Sequence, residues 1–174
     1  MSGPQPSGPV VGVDIGGTKL LAVRLHPDGK VTADPIQASP SHGPGVVEQV
    51  VASTHRLASS ATPGALGVGV PGLVDATGSV RFTPNLPGLA GMPLAAALRH
   101  ELPGWAVWVG NDATAACWAE HDRGAAQGVQ DVLMVTLGTG IGGGIISGGI
   151  LIEGCNRYAG EFGHMVVDPH GPRW

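Results

Sequence analysis

The stretch VVGVDIGGTKLLAVRL, from Val10 to Leu25, sets two runs of β-forming apolar residues on either side of a short polar and glycine turn. The pattern predicts strand, tight turn, strand. Asp14 stands at the end of the first strand, and Gly16, Gly17, Thr18 and Lys19 follow it. Glycines let backbone N–H groups approach an oxyanion closely, because no Cβ intervenes and φ is free to be positive. A carboxylate beside such a turn suits a hydrated Mg²⁺ brought in by phosphates. A phosphate cradle is therefore the expectation, although a Gly-Gly turn between two strands also serves as a bare hairpin. The turn is not a Walker loop, which has a longer glycine spacing and opens a helix.

The whole chain sets the frame for that turn. Its 174 residues allow one ordinary domain, or one domain plus part of another. Hydrophobic residues make up 43% and charged residues only 13%, ample for a packed core. A formal net charge of −4 with nine scattered Lys and Arg argues against non-specific nucleic-acid or anionic-membrane binding, which want clustered basic residues. Two cysteines, Cys117 and Cys155, make no disulfide framework, so a reducing cytoplasm is expected. No apolar run approaches the ~18 residues of a membrane span. The opening residues 1–9 carry no signal-peptide pattern and read as a disordered tail.

In chain order, a third strand is expected over Lys30 to Gln37 after the bend supplied by Pro27 and Gly29. Ser39 to Gly45 is a polar breaker, and Val46, Val47, Val50, Val51, Thr54 and Ala58 then recur at helical spacing, ending before Pro63. Ala65 to Gly72 is a β-rich run closed by Pro-Gly. Leu73 to Gly91 reads as irregular, with Asn85 among Pro84, Pro87 and Gly88, and such loops on a compact scaffold are where ligands bind. A short helix begins at Pro93, and a strand over Trp105 to Val109 is closed by Gly110, Asn111 and Asp112. Ala113 to Ala126 has helical composition, so Asn111 or Asp112 serves either as a helix N-cap or as a polar group facing the ligand crevice at the strand's carboxyl end.

Past Gln130 the opening grammar returns. An apolar strand, Val132 to Leu137, runs into GTGIGGG, and a second strand over Ile145 to Ile152 follows. Two strand, glycine-turn, strand units about 120 residues apart suggest two domains closing on one polyphosphate, the logic of an internally duplicated phosphotransferase.

Six motifs carry a resemblance: DIGGTK at 14–19, GVGVPGLVD at 67–75, PNLPG at 84–88, NDATAA at 111–116, LGTGIGGGII at 137–146 and AGEFGHMVVDPHGPR at 159–173. In order and spacing the chain resembles the ROK family of bacterial sugar kinases and sugar-responsive repressors, most closely its glucokinase branch, over Val10 to Arg173. The resemblance implies an actin-like and hexokinase-like (ribonuclease H-like) ATPase fold, with two α/β domains around a cleft: residues 10–112 as the first domain, residues 113–174 as the start of an incomplete second. It implies transfer of the γ-phosphoryl of ATP to a hexose hydroxyl, with glucose at C6 as the usual case. Asp112 matches the general base of the family's Asn-Asp motif, and the chemistry agrees, since a sugar hydroxyl needs a positioned carboxylate to take its proton. Asn111, Gly72, Asn85, Glu161 and His164 match sugar-binding positions. Gly16, Gly17, Thr18 and Lys19, with Gly138, Thr139 and Gly140, match the two phosphate loops, and Asp14 matches the carboxylate near Mg²⁺, which it reaches through water.

In the family the histidine of Glu-x-Gly-His, here His164, also ligates a structural Zn²⁺ with three cysteines of a motif that follows. Cys117 and Cys155 lack that spacing, and Trp174 falls about where the first such cysteine stands. No zinc is expected in the chain as it stands. Complete members continue for another domain's worth of residues, so the 174-residue chain is expected to be inactive by itself and to leave an unpaired sheet edge at Leu133 to Ile152. The rival readings are a non-catalytic sugar-binding fragment and a repressor of the same family. Only nine Pro-, Gly- and Ser-rich residues precede the first strand, so no helix-turn-helix is expected among them. A homodimer is expected by analogy with relatives.

Overall fold

The computed structural model describes residues 8–59, 62–138 and 140–171. Backbone contacts divide the chain into two units, with the boundary between Asp112 and Ala113. Among the described residues no helix is long and apolar enough to cross a membrane.

The first unit is built on β1 (Val10–Ile15), β2 (Lys19–Leu25), β3 (Val31–Ala33), β4 (Gln37–Ala38), α1 (Gly43–Ala58), β5 (Ala65–Val70), β6 (Leu73–Val74), β7 (Val80–Phe82), α2 (Leu94–Glu101) and β8 (Ala106–Asn111). The main sheet runs β3-β2-β1-β5-β8, with β4 also on β2. β1 to β3 form an antiparallel meander, and β5 and β8 continue from β1 as parallel strands. Parallel neighbours need a crossover, and α1 and α2 lie in the connections that supply it. Alternation assigns the faces: Val11, Val13, Ile15, Leu66, Val68, Val70, Val107 and Val109 are buried with Val46, Val50, Leu57, Leu94 and Leu98 of the two helices. Each fully buried Val or Leu contributes about 1.5–3 kcal/mol.

Local chemistry explains where these elements differ from the expectations. The strand expected over Lys30 to Gln37 is two pieces, because Asp34 turns inward and Pro35 has no N–H for a ladder. Helix α1 starts at Gly43, inside the expected breaker: His42 Nδ1 accepts from Gly45 N–H at 3.1 Å, and Pro44 occupies the first turn, where it is tolerated. Leu73 to Gly91 is not wholly irregular. Asp75 builds a hairpin from β6 and β7, its carboxylate accepting from the Thr77 hydroxyl at 2.6 Å and from the N–H groups of Thr77 and Ser79 at 2.9 and 3.1 Å. Those bonds, the Thr77 hydroxyl first, hold the Asp75 carboxyl far below the usual carboxylate range.

Helix α3 (Asp112–Arg123), whose first residue is the last of the first unit, leads into the second unit's β9 (Val132–Leu137), β10 (Ile141–Ser147) and β11 (Ile150–Leu151), in the antiparallel order β11-β10-β9. The second strand begins at Ile141, four residues earlier than expected, so Gly142, Gly143 and Gly144 belong to a strand and not to a turn. They are there for packing. A Cβ on Gly142 would crowd Ala113, and one on Gly144 would strike Cys117, both on α3. Gly143 faces Phe162.

Candidate functional site

The candidate residues of the first unit gather at the carboxyl ends of β1, β5 and β8. Register puts Asp14 beside Gly69 and Gly69 beside Gly110, so one row crosses the three parallel strands just before Asn111 and Asp112. Gly69 stands between the two acidic residues. A Cβ built there would lie 3.3 Å from Asp112 Cα and 3.7 Å from Asp14 Oδ1. Asp14 keeps an exposed flank, yet its carboxyl is pushed above the ordinary range, first by the crowding chain around it and second by the Asp112 carboxylate, while Lys19 pulls the other way. Paired carboxylates at the strand ends of an α/β sheet are suited to proton transfer or to a divalent cation.

Around this pair the loops are set by backbone chemistry. Gly16 N–H donates to the Lys19 carbonyl at 2.9 Å, closing the turn between β1 and β2, while the N–H groups of Gly17 and Thr18 have no acceptor among the described residues. Such donors fit phosphate oxygens. Asn85 lies against the same turn, because a Cβ on Gly17 would sit 3.1 Å from Asn85 Cβ. The Asn111 amide donates to the Gly72 carbonyl at 3.1 Å. Gly72 has φ +130°, a conformation that only glycine adopts readily, and a side chain there would run into the Phe82 carbonyl. Asp14, the Gly16 to Lys19 turn, Gly72, Asn85, Asn111 and Asp112 are thus placed within one unit.

Glu161, His164, Gly138 and Gly140 lie in the other unit. Phe162 to His164 form a single 3₁₀ turn, so Glu161 and His164 share a side, with His164 Nε2 3.7 Å from Glu161 Oε2. That turn packs on β10, since a Cβ on Gly163 would meet the Ile141 backbone. Gly138 and Gly140 face open space, unlike the packing glycines after them. Thr139 lies outside the described residues. Among those described, no three His, Cys, Asp or Glu side chains gather to hold a metal, and His164 has no cysteine partner; Cys117 is buried, its thiol pushed up by that burial, and Cys155 is free.

Two contributors escaped the sequence reading. Gly69 sits inside GVGVPGLVD, but nothing short of the sheet register shows that it faces two carboxylates. Ser39, within the expected breaker, bonds to the carbonyls of Gly16 and Thr18. A shallow groove of about 530 Å³ lined by Ala65, Gly67, Arg99, Trp105 and Trp108 lies at the opposite, amino-terminal ends of β5 and β8, away from this chemistry.

A mixed sheet of this order, with a glycine turn after its first strand and an Asn-Asp pair after its last, defines the actin-like ATPase fold found in sugar kinases. Residues 10–173 match the ROK family, and the chain belongs to that family. It is 34% identical over 173 residues to a glucokinase of Thermotoga maritima, covering 97% of this chain and 54% of that protein. It is 36% identical to an N-acetylmannosamine kinase of Escherichia fergusonii, covering 92% and 55%. A crystal structure of a ROK family glucokinase from Streptomyces griseus in complex with glucose and AMPPNP superposes with TM-score 0.83 at 39% identity, over 94% of this chain and 52% of that one. The chain spans about half the length of the curated relatives it matches.

Proposed function

We propose that this chain serves the ATP-dependent phosphorylation of a hexose, with glucose, phosphorylated at C6, as the first candidate. The observation that carries this reading is the convergence of Asp14 and Asp112 at Gly69, beside a turn with outward N–H donors. In this reading residues 10–112 hold the sugar loop and the first phosphate turn, and residues 113–174 bring the second phosphate loop and Glu161 with His164.

Asp112 is the general base: it takes the proton of the attacking sugar hydroxyl as the new O–P bond forms and the bond to the departing diphosphate breaks. Asn111 fixes the sugar loop through the Gly72 carbonyl and offers its amide group to the same sugar. Gly72, Asn85, Glu161 and His164 complete the polar pocket, where an unmatched hydroxyl costs about 1–3 kcal/mol and so selects stereochemistry. Gly16, Gly17, Thr18, Lys19, Gly138, Thr139 and Gly140 hold phosphates. The Asp14 carboxylate would hold Mg²⁺ through its water shell, and that ion would neutralise charge on the transferring phosphoryl group. The Asp14 and Asp112 pair fits such a cation, since a positive charge relieves their repulsion. Among the described residues none beside His164 supplies a thiolate for a structural zinc, and no step is assigned to one.

The test is a hexose panel, including N-acetylmannosamine, with ATP and with inorganic polyphosphate as donors, on the protein as its own cell makes it, beside the Asp112→Asn variant. A loss of about 10²- to 10⁴-fold in kcat with sugar affinity retained is expected for that variant. Activity surviving the change removes Asp112 from its role. The second reading, a sugar binder without turnover, would be selected by sugar binding with no product from any donor.

A further inference from the structure

We propose that Ser39 is a positioning residue that aims the phosphate turn; the proposal rests on the reading that this turn grips phosphate. The hydroxyl of Ser39 donates to the Gly16 carbonyl at 2.6 Å, and its backbone N–H donates to the Thr18 carbonyl at 3.1 Å. One residue therefore holds two carbonyls of the same turn.

A planar trans peptide points its C=O and its N–H in opposite directions. The carbonyl of Gly16 and the N–H of Gly17 belong to one such unit, so drawing the first toward Ser39 turns the second away from it. Gly17 N–H is a donor without an acceptor among the described residues. The Ser39 hydroxyl thus fixes the direction of the donor that the phosphate reading needs, without touching the ligand. Preorganised donors bind anions better than mobile ones because their orientation is not lost as entropy on binding.

Ser39 is itself braced. It follows β4 directly, and Gln37 on β4 donates its amide to Asp34 and to the Ser53 hydroxyl, both at 3.0 Å. Asp34 in turn accepts from Arg56 at 2.6 and 3.1 Å. The turn is tied through Ser39 and Gln37 to helix α1, a rigid element, and not to a free loop.

The experiment is a titration of ¹⁵N-labelled protein with magnesium-free tripolyphosphate, following the Gly17 amide, for the wild type, Ser39→Ala and Ser39→Thr. In the wild type the Gly17 resonance is expected to move downfield on binding; Ser39→Ala should weaken the dissociation constant about tenfold and shrink that movement, and Ser39→Thr should restore both. Ser39→Ala keeps the backbone bond to Thr18, and amides remote from the turn report whether the unit stays folded. Wild-type affinity and Gly17 response in Ser39→Ala overturn the positioning role alone. A wild-type Gly17 amide silent to tripolyphosphate overturns the phosphate reading, and the proposal with it. Should Ser39→Ala lose its fold, Ser39→Thr decides: a Thr variant that is folded and weak overturns the hydroxyl's role.

Discussion

Asp14 shows a residue placed at some cost to stability. Its carboxyl holds a proton more tightly in the folded protein than in the unfolded chain, because crowding and the Asp112 carboxylate disfavour its charge. The sign follows: as pH rises above the unfolded value of 3.8, the native state keeps more protons than the unfolded one, and stability contributed by this group falls. Asp14→Asn removes the liability. A higher melting midpoint than wild type is expected at pH 7, with the gap closing as pH falls below 3.8, where Asp14 becomes protonated in both states. A variant less stable at pH 7, or a gap that does not change with pH, would refute the convergence. A pair that costs stability in this way is compatible with the cation and proton roles proposed above. Asp14 and Asp112 were legible in the sequence because each sits in a recognisable motif at a strand end. Gly69 and Ser39 were not, because a glycine's room and a serine's bond depend on which strand lies alongside.

Among elements, the strap from β3 through β4 to α1 depends on one carboxylate. Asp34 is only 7% exposed and is met by Arg56, Gln37 and α1's Ser53 side by side, which lowers its carboxyl below the usual range, the Arg56 bond being the largest cause. Its contribution to stability is present above pH 3.8 and is lost as pH falls through the depressed folded value. Arg56→Met leaves a buried carboxylate without its cation. Breaking a fully buried pair costs about 3–5 kcal/mol, and because the Arg56 side chain is half exposed a cost of about 2 kcal/mol is expected at pH 7, measured by urea unfolding. That cost should shrink in acid; a pH-independent cost would mean that packing and not charge is lost. Asp34-Pro35 looked like the middle of a strand in the sequence, since a buried acid with a partner 22 residues away leaves no local trace. The glycines before and within β10 mislead in a different way: Gly138 and Gly140 are open and Gly142 and Gly144 are packed under α3, yet all four look the same in sequence.

For the molecule as a whole, the sheet of the second unit leaves apolar surface uncovered among the described residues. On β9, Leu133, Val135 and Leu137 are 66%, 48% and 82% exposed on one face, and β9 ends the sheet. The edge expected over Leu133 to Ile152 is narrower, since β10 is paired on both sides and β9 lies at one end of the sheet, and it carries an exposed face as well. Exposed apolar edge strands invite pairing with another chain. The isolated 174-residue chain is expected to self-associate at micromolar concentration, and Leu133→Lys with Leu137→Lys to return it toward monomer in light scattering. Association unchanged by the two lysines would place the contact elsewhere.

By itself the sequence determined the family, the core strands, the glycine turn after the first of them and the carboxylates at the strand ends, since hydrophobic period, glycine spacing and motif order are local properties that survive without a partner strand. Only the tertiary structure decided that Asp14 and Asp112 meet across Gly69, that Ser39 holds the turn, and which glycines are packed and which are open. Those are relations between segments tens of residues apart, created when sheet register and helix packing bring them together, and no local pattern encodes a distance of that kind.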